Sequence, residues 1–158
     1  MKKDIKTNAM RILEKNKIEY KEHLYECKEF MDGVSIAEKL GQAPEKTFKT
    51  LVTVGKSKKY FVFVLPVAEE LSLKKAAASV GEKSVEMIYV KDITAITGYV
   101  RGGCSPIGMK KQFQTVIHES AKDFENIMFS GGRLGAQIEM SPVRLAELID
   151  AKFADIIQ

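Results

Sequence analysis

No apolar run in this 158-residue chain approaches the roughly 20 residues that span a bilayer, so the sequence offers no transmembrane helix. Cysteine is scarce. Cys27 and Cys104 stand far apart, which argues against a disulfide scaffold and for a reducing compartment. Met1–Lys6 starts like the basic head of a signal peptide, but no apolar stretch follows, and the expectation is a cytoplasmic protein with no membrane contact. The phosphate-binding pattern Gly-x-x-x-x-Gly-Lys-Ser/Thr is missing, and so is His-Glu-x-x-His. Arg101–Gly108 lacks the glycine spacing of a dinucleotide site. No fixed-period repeat, low-complexity tract or Pro/Gly/Ser linker divides the chain, so 158 residues predict one domain with one core.

What is present is ordinary in bulk and unusual in two places. Apolar residues make up 45% and charged residues 29%, the balance of a soluble globular protein. The net charge of +4 is a mild basic bias, with lysines gathered at Lys2–Lys6, Lys56–Lys59, Lys74-Lys75 and Lys110-Lys111. Such clusters are either solvated faces or sequence-blind contacts to a polyanion. The two unusual places are rich in glycine. Thr97–Lys111 contains Gly102-Gly103, Ser105, Pro106 and Gly108, and Phe129–Gly135 contains Ser130-Gly131-Gly132. Paired glycines bring bare backbone close to something else, so the two segments read either as tight turns or as one wall of a cleft lined by N–H groups.

Helix signals fall at Thr7 (a cap for a helix reaching about Asn16), at Ser35–Glu38 (a capping box ended by Gly41), at Ser72 (a helix stopping at Gly81) and at Ser141-Pro142. A short helix is predicted over Lys91–Ile96 and a helical turn over Ser120–Glu125. Strands are predicted at Ile18–Tyr25, Phe48–Val54, Tyr60–Leu65, Val85–Ile88, Thr115–His118, Ile127–Phe129 and Gln137–Met140. Phe48–Val54 and Tyr60–Leu65 form a hairpin, and the second is so continuously apolar that both its faces should be covered. The expected architecture is α+β, with a mixed, barrel-like sheet and helices outside.

Chemistry-bearing residues are few. A metal site would have to gather His23, Cys27, Cys104 and His118 from dispersed segments. Cys104 is readable as a nucleophile with His23 or His118 as base, or as a small apolar loop residue. No carboxylate is paired with either histidine by sequence alone. Lys49 opens an apolar strand and shares a face with Leu51 rather than Thr50, which turns it toward an interior or cleft unless it snorkels off an edge. A lysine placed inward needs an anion, from the protein or from a ligand.

Several segments, taken in order, resemble the YbaK/EbsC family of trans-editing aminoacyl-tRNA deacylases, relatives of the editing domain inserted in bacterial prolyl-tRNA synthetases. They include His23-x-Tyr25, Lys49-Thr50-Leu51, Pro66-Val67-Ala68, Thr97-Gly98-Tyr99, Gly102-Gly103-x-Ser105-Pro106-x-Gly108-x-Lys110-Lys111, Ser130-Gly131-Gly132 and Asp150–Ile156. The resemblance implies a barrel-like mixed sheet and hydrolysis of the ester joining a wrong amino acid to tRNA(Pro), with no cofactor and no metal. Cysteine is the expected amino acid; alanyl-tRNA(Pro), several mischarged tRNAs, or acceptor-end binding without hydrolysis are the alternatives. Prolyl-tRNA synthetase is a candidate partner.

The resemblance makes Lys49 the key residue, holding the tRNA acceptor end, and puts Tyr25, Phe30 (or Met31), Thr50, Ser105 and Ser130 around the same pocket. Loop amides at Gly102, Gly103, Gly131 and Gly132 would stabilise the oxyanion, and Lys110 and Lys111 would touch the tRNA backbone. Two departures stand out. Gln137 occupies a position where relatives often carry a carboxylate, and Cys104 one that is usually aliphatic, which weakens the protein-nucleophile reading. The expected mechanism uses the thiol of the bound cysteinyl group itself.

Overall fold

A computed structural model describes residues 6–158; most of the Lys2–Lys6 cluster lies outside them. In chain order the regular elements are helix α1 (Asn8–Lys15), strand β1 (Lys21–Leu24), α2 (Gly33–Lys39), β2 (Phe48–Gly55), β3 (Tyr60–Pro66), α3 (Leu73–Val80), β4 (Val85–Met87), α4 (Ile93–Thr97), β5 (Gln114–His118), β6 (Ile127–Arg133), β7 (Ala136–Met140), α5 (Pro142–Ile149) and β8 (Lys152–Ala154). They build two sheets, β1-β7-β6 and β4-β2-β3-β5-β8.

β3 is the spine. Its even-numbered side chains, Val62 and Val64, enter a core shared with α1, the three-stranded sheet and α5. Its odd-numbered ones, Phe61, Phe63 and Leu65, enter a second core under α3 and the chain's end. A strand buried on both faces reads as a continuous apolar run, which is how it appears in sequence. Each such side chain contributes about 1.5–3 kcal/mol on burial. β3 pairs antiparallel with β2 and parallel with β5, and β5 pairs parallel with β8. The sequence pattern missed β8, since Lys152–Ala154 is too short to show a period of two.

The barrel-like closure expected from sequence does not form. Among the described residues the two sheets are joined by one parallel bridge, Thr47 to Met128, and no further pairing closes them. The outer edge of β2 is divided between that bridge at its start and β4, which pairs only with Thr53–Gly55. Among the described residues Phe48 to Leu51 therefore lack a strand neighbour on the side away from β3, while the Val52 carbonyl accepts from the Ile88 N–H just beyond β4 at 3.2 Å.

Helix starts follow their caps. Thr7 and Ser72 accept from the backbone N–H of Met10 and Lys75 as expected. α2 differs from the sequence expectation: Asp32, not Ser35, is its cap, accepting from the Ser35 N–H at 2.9 Å and the Ser35 hydroxyl at 3.0 Å. A carboxylate at the cap outcompetes a hydroxyl for the same donors.

The second glycine segment is also not a loop. Ser130–Arg133 continues β6 through a bulge, and only Leu134-Gly135 turns. Its glycines admit neighbours: a Cβ on Gly132 would lie 3.2 Å from Thr7 and Tyr99, and one on Gly131 3.2 Å from Met10. The Thr7 hydroxyl donates to the Gly131 carbonyl, tying α1 to the bulge. In the first glycine segment, a Cβ on Gly103 would lie 2.9 Å from the Arg133 Cα. Gly103→Ala is expected to destabilise the fold by about 1–3 kcal/mol because the obstacle is backbone. Urea unfolding would show this as a lower midpoint with unchanged slope.

Candidate functional site

A cavity of about 400 Å³ opens along the stretch of β2 that has no strand neighbour. This lies within the size range of small-molecule sites. It wraps the strand edge, so it takes Lys49 and Leu51 from one face of β2 and Thr50 and Val52 from the other. Phe30 to Val34 and Ile36 close one side, Met87, Ile88, Val90 and Ile93 another, and Arg101, Gly102 and Cys104 a third. Ser130 and Gln137, cross-strand partners on β6 and β7, complete the lining.

The polar inventory is sparse. Lys49 is half-buried, and among the described residues no acidic side chain pairs with it. The Thr50 hydroxyl is buried with no hydrogen-bond partner. Asp32 is the one carboxylate in the lining, and its bonds to the Ser35 N–H and hydroxyl hold it below the usual carboxylate range. No histidine lines the cavity. Arg101 stacks its guanidinium 4.0 Å from the Phe30 ring centre. Gly102, at φ +84°, makes that stack possible, since a Cβ there would meet Phe30 and Leu134 at 3.0 Å. The Gly102 N–H makes no hydrogen bond within the described residues.

Of the residues singled out by sequence, the cavity brings together Phe30, Met31, Lys49, Thr50, Gly102, Cys104, Ser130 and Gln137. It does not bring in the rest. The Gly103 N–H is taken by the Val100 carbonyl at 2.9 Å, and the Gly132 N–H by the Ser130 hydroxyl at 3.2 Å. Gly131 is buried against α1. Ser105 is fully buried and accepts from the Ile107 N–H at 3.2 Å, a turn-forming contact. Tyr25 is outside the lining, its hydroxyl buried with no partner among the described residues, and burial raises its pKa above the ordinary tyrosine value. Lys110 is exposed and donates to the Ala95 carbonyl at 3.3 Å, and Lys111 is exposed beside it.

Neither histidine serves the cavity. His23 Nε2 lies 2.8 Å from Glu139, which also accepts from Lys46 at 3.3 Å. Burial pushes the Glu139 carboxyl up, but these two bonds outweigh it and leave it below its ordinary value. His118 accepts from the Ile156 N–H at 3.3 Å with Asp155 at 3.9 Å. Both partners come from distant sequence, which is why no local pattern showed them. The dispersed Cys/His quartet is not assembled: among the described residues no three His, Cys, Asp or Glu side chains are grouped to hold a metal ion. Arg101 is the lining residue that sequence reading undervalued.

Burial pushes the Cys104 thiol up to about 11, against a smaller lowering by the Thr97 hydroxyl. An acid with a raised folded pKa stays neutral in the folded state. Its stabilising share is present below the ordinary thiol range and is lost as pH rises toward 11.

Residues 28–148 match the family described as "Aminoacyl-tRNA editing domain". The chain is 48% identical over 152 residues to an Enterococcus faecalis protein named "Putative Cys-tRNA(Pro)/Cys-tRNA(Cys) deacylase EbsC", covering 96% of this chain and 93% of that one. This chain belongs to the aminoacyl-tRNA editing domain family. Two solved structures share its fold. The hypothetical protein APE2540 superposes with a TM-score of 0.88 at 20% identity, covering 96% of this chain and all (100%) of the other. A protein described as "a putative trans-editing enzyme for prolyl tRNA synthetase" superposes with a TM-score of 0.81 at 22% identity, covering 98% and 99%.

With its thiol protonated, Cys104 is expected to resist iodoacetamide at pH 8. Its labelling rate, followed by mass spectrometry, should rise about tenfold per pH unit toward pH 11.

Proposed function

We propose that the whole chain, residues 1–158, acts as one trans-editing domain that deacylates mischarged Cys-tRNA(Pro), with the acceptor end of the tRNA in the β2-edge cavity. The observation that carries this reading is Lys49, a cation lining an apolar cavity with no acidic partner among the described residues. A half-buried ammonium left alone is costly, and a phosphate or ribose oxygen of the terminal adenosine would compensate it. The Thr50 hydroxyl, buried and unpartnered, is a second group waiting for a ligand. Phe30 and Arg101 offer a stacking surface for the base. Ser130 contacts the aminoacyl end, and Lys110 and Lys111 meet the backbone of the stem.

The lining supplies no nucleophile paired with a base: no histidine, one carboxylate engaged as a helix cap, and one protonated thiol. An aminoacyl ester is already activated, so positioning can supply much of the acceleration. In the proposed step the sulfur of the bound cysteinyl group bonds to its own ester carbonyl carbon. The bond from that carbon to the ribose oxygen breaks, the thiol proton ends on that oxygen, and the products are a cyclic thiolactone and free tRNA. The Gly102 N–H is the available donor for the developing oxyanion, an effect worth roughly 3 kcal/mol per good donor. The amides of Gly103 and Gly132 are committed elsewhere, so the oxyanion role assigned by sequence to four glycines narrows to one.

Lys49→Ala is expected to lower kcat/KM at least a hundredfold while leaving the melting temperature nearly unchanged, because no ion pair is lost. Near-normal deacylation by that folded variant would reject the clamp. A deacylation panel of Cys-, Ala-, Ser- and Pro-tRNA(Pro), with and without prolyl-tRNA synthetase, tests the rest. Cysteine should be released far faster than serine, since a hydroxyl is the weaker nucleophile. Equal rates for the two would point to activated water, and release from none would leave a binding module.

A further inference from the structure

The segment after β4 carries a feature that the cavity does not use. Three large apolar side chains in sequence remain in solvent, Met87 at 45%, Tyr89 at 74% and Val90 at 56% exposure. Met87, Ile88 and Val90 belong to the cavity wall, so this apolar lip is continuous with the cavity. Apolar surface bordering a cleft marks a contact site. Tyr89 lies between the wall residues Ile88 and Val90 but is itself absent from the lining and largely in solvent. Its ring therefore stands on the outer lip.

The following 3₁₀ turn, Val90–Asp92, brings the Lys91 ammonium to 5.9 Å from the centre of that ring. Among the described residues the Tyr89 hydroxyl makes no hydrogen bond to the chain and Lys91 no ion pair. Neither side chain is held by a structural task. The Arg101–Phe30 stack repeats the same pairing in the cavity lining.

An aromatic face beside a cation suits single-stranded nucleic acid, the base stacking on the ring and a phosphate meeting the charge. We infer that Tyr89 and Lys91 form an outer subsite for the nucleotide preceding the terminal adenosine of a single-stranded RNA 3′ end. This rests on the deacylase reading above and extends it to the next nucleotide. Asp92, adjacent to Lys91, limits the net charge of the lip, so stacking is the larger part of the contact and the phosphate the smaller.

The test compares two substrates: a cysteinylated acceptor-stem minihelix ending in its natural single strand, and cysteinyl-adenosine, which lacks the preceding nucleotide. Tyr89→Ala should raise KM for the minihelix about tenfold with kcat unchanged. Tyr89→Phe should restore it. Lys91→Ala should flatten the dependence of log KM on log salt by about one unit for the minihelix. All three variants should match the wild type on cysteinyl-adenosine. Equal minihelix KM for Tyr89→Ala and wild type would overturn the subsite, as would a KM rise of the same size on both substrates. Failure of the wild type to cleave either substrate would instead strike the deacylase reading.

Discussion

The site depends on a single shortage: β2 has one outer edge and two claimants for it. β6 takes the beginning through the Thr47–Met128 bridge, and β4 takes the end from Thr53 onward. Neither reaches Phe48 to Leu51. β3, buried on both faces, cannot move to relieve the gap without disrupting both cores. The gap thus borders a strand locked into both cores, and it is there that Lys49 and Thr50 are placed. A closed barrel would have paired this edge and removed the cavity.

Much of the fold was legible because its signals are local. Ser72 and Gly81 bracket α3, and Thr7 starts α1, since caps act within one turn. The apolar run Tyr60–Leu65 announced a doubly covered strand. Signals that depend on distant partners were not legible. Asp32 beats Ser35 as the cap of α2 only because the chain before Gly33 turns so that its carboxylate faces the helix. β8 exists because β5 offers an edge, not because Lys152–Ala154 favours one.

The site divides in the same way. Lys49 stood out as a charge opening an apolar strand, but alternation set it apart from Thr50, whereas the cavity wraps the strand edge and takes both. The glycines did not resolve so simply. The reading of two loops presenting N–H groups treated absence of a side chain as room for a ligand. For Gly103, Gly131 and Gly132 the room is filled by the protein, by Arg133 backbone, Met10, Thr7 and Tyr99. Only Gly102 faces the cavity, and what fills its space is the Phe30 ring. Glycine pairs here are joints first: they let the Thr97–Lys111 segment meet the β6 bulge at backbone distance and let side chains of α1 and its cap pack onto that bulge.

The buried thiol of Cys104 has a meaning beyond its failure as a nucleophile. An enzyme built to release cysteine from an activated ester faces an acyl-transfer hazard, because any thiolate within reach can accept the aminoacyl group as a thioester. The resulting adduct would block the site with its own substrate. Keeping Cys104 protonated to about 11 withholds that acceptor through the whole physiological range. Under the proposed reading, the cavity is chemically deaf to the group it is built to expel.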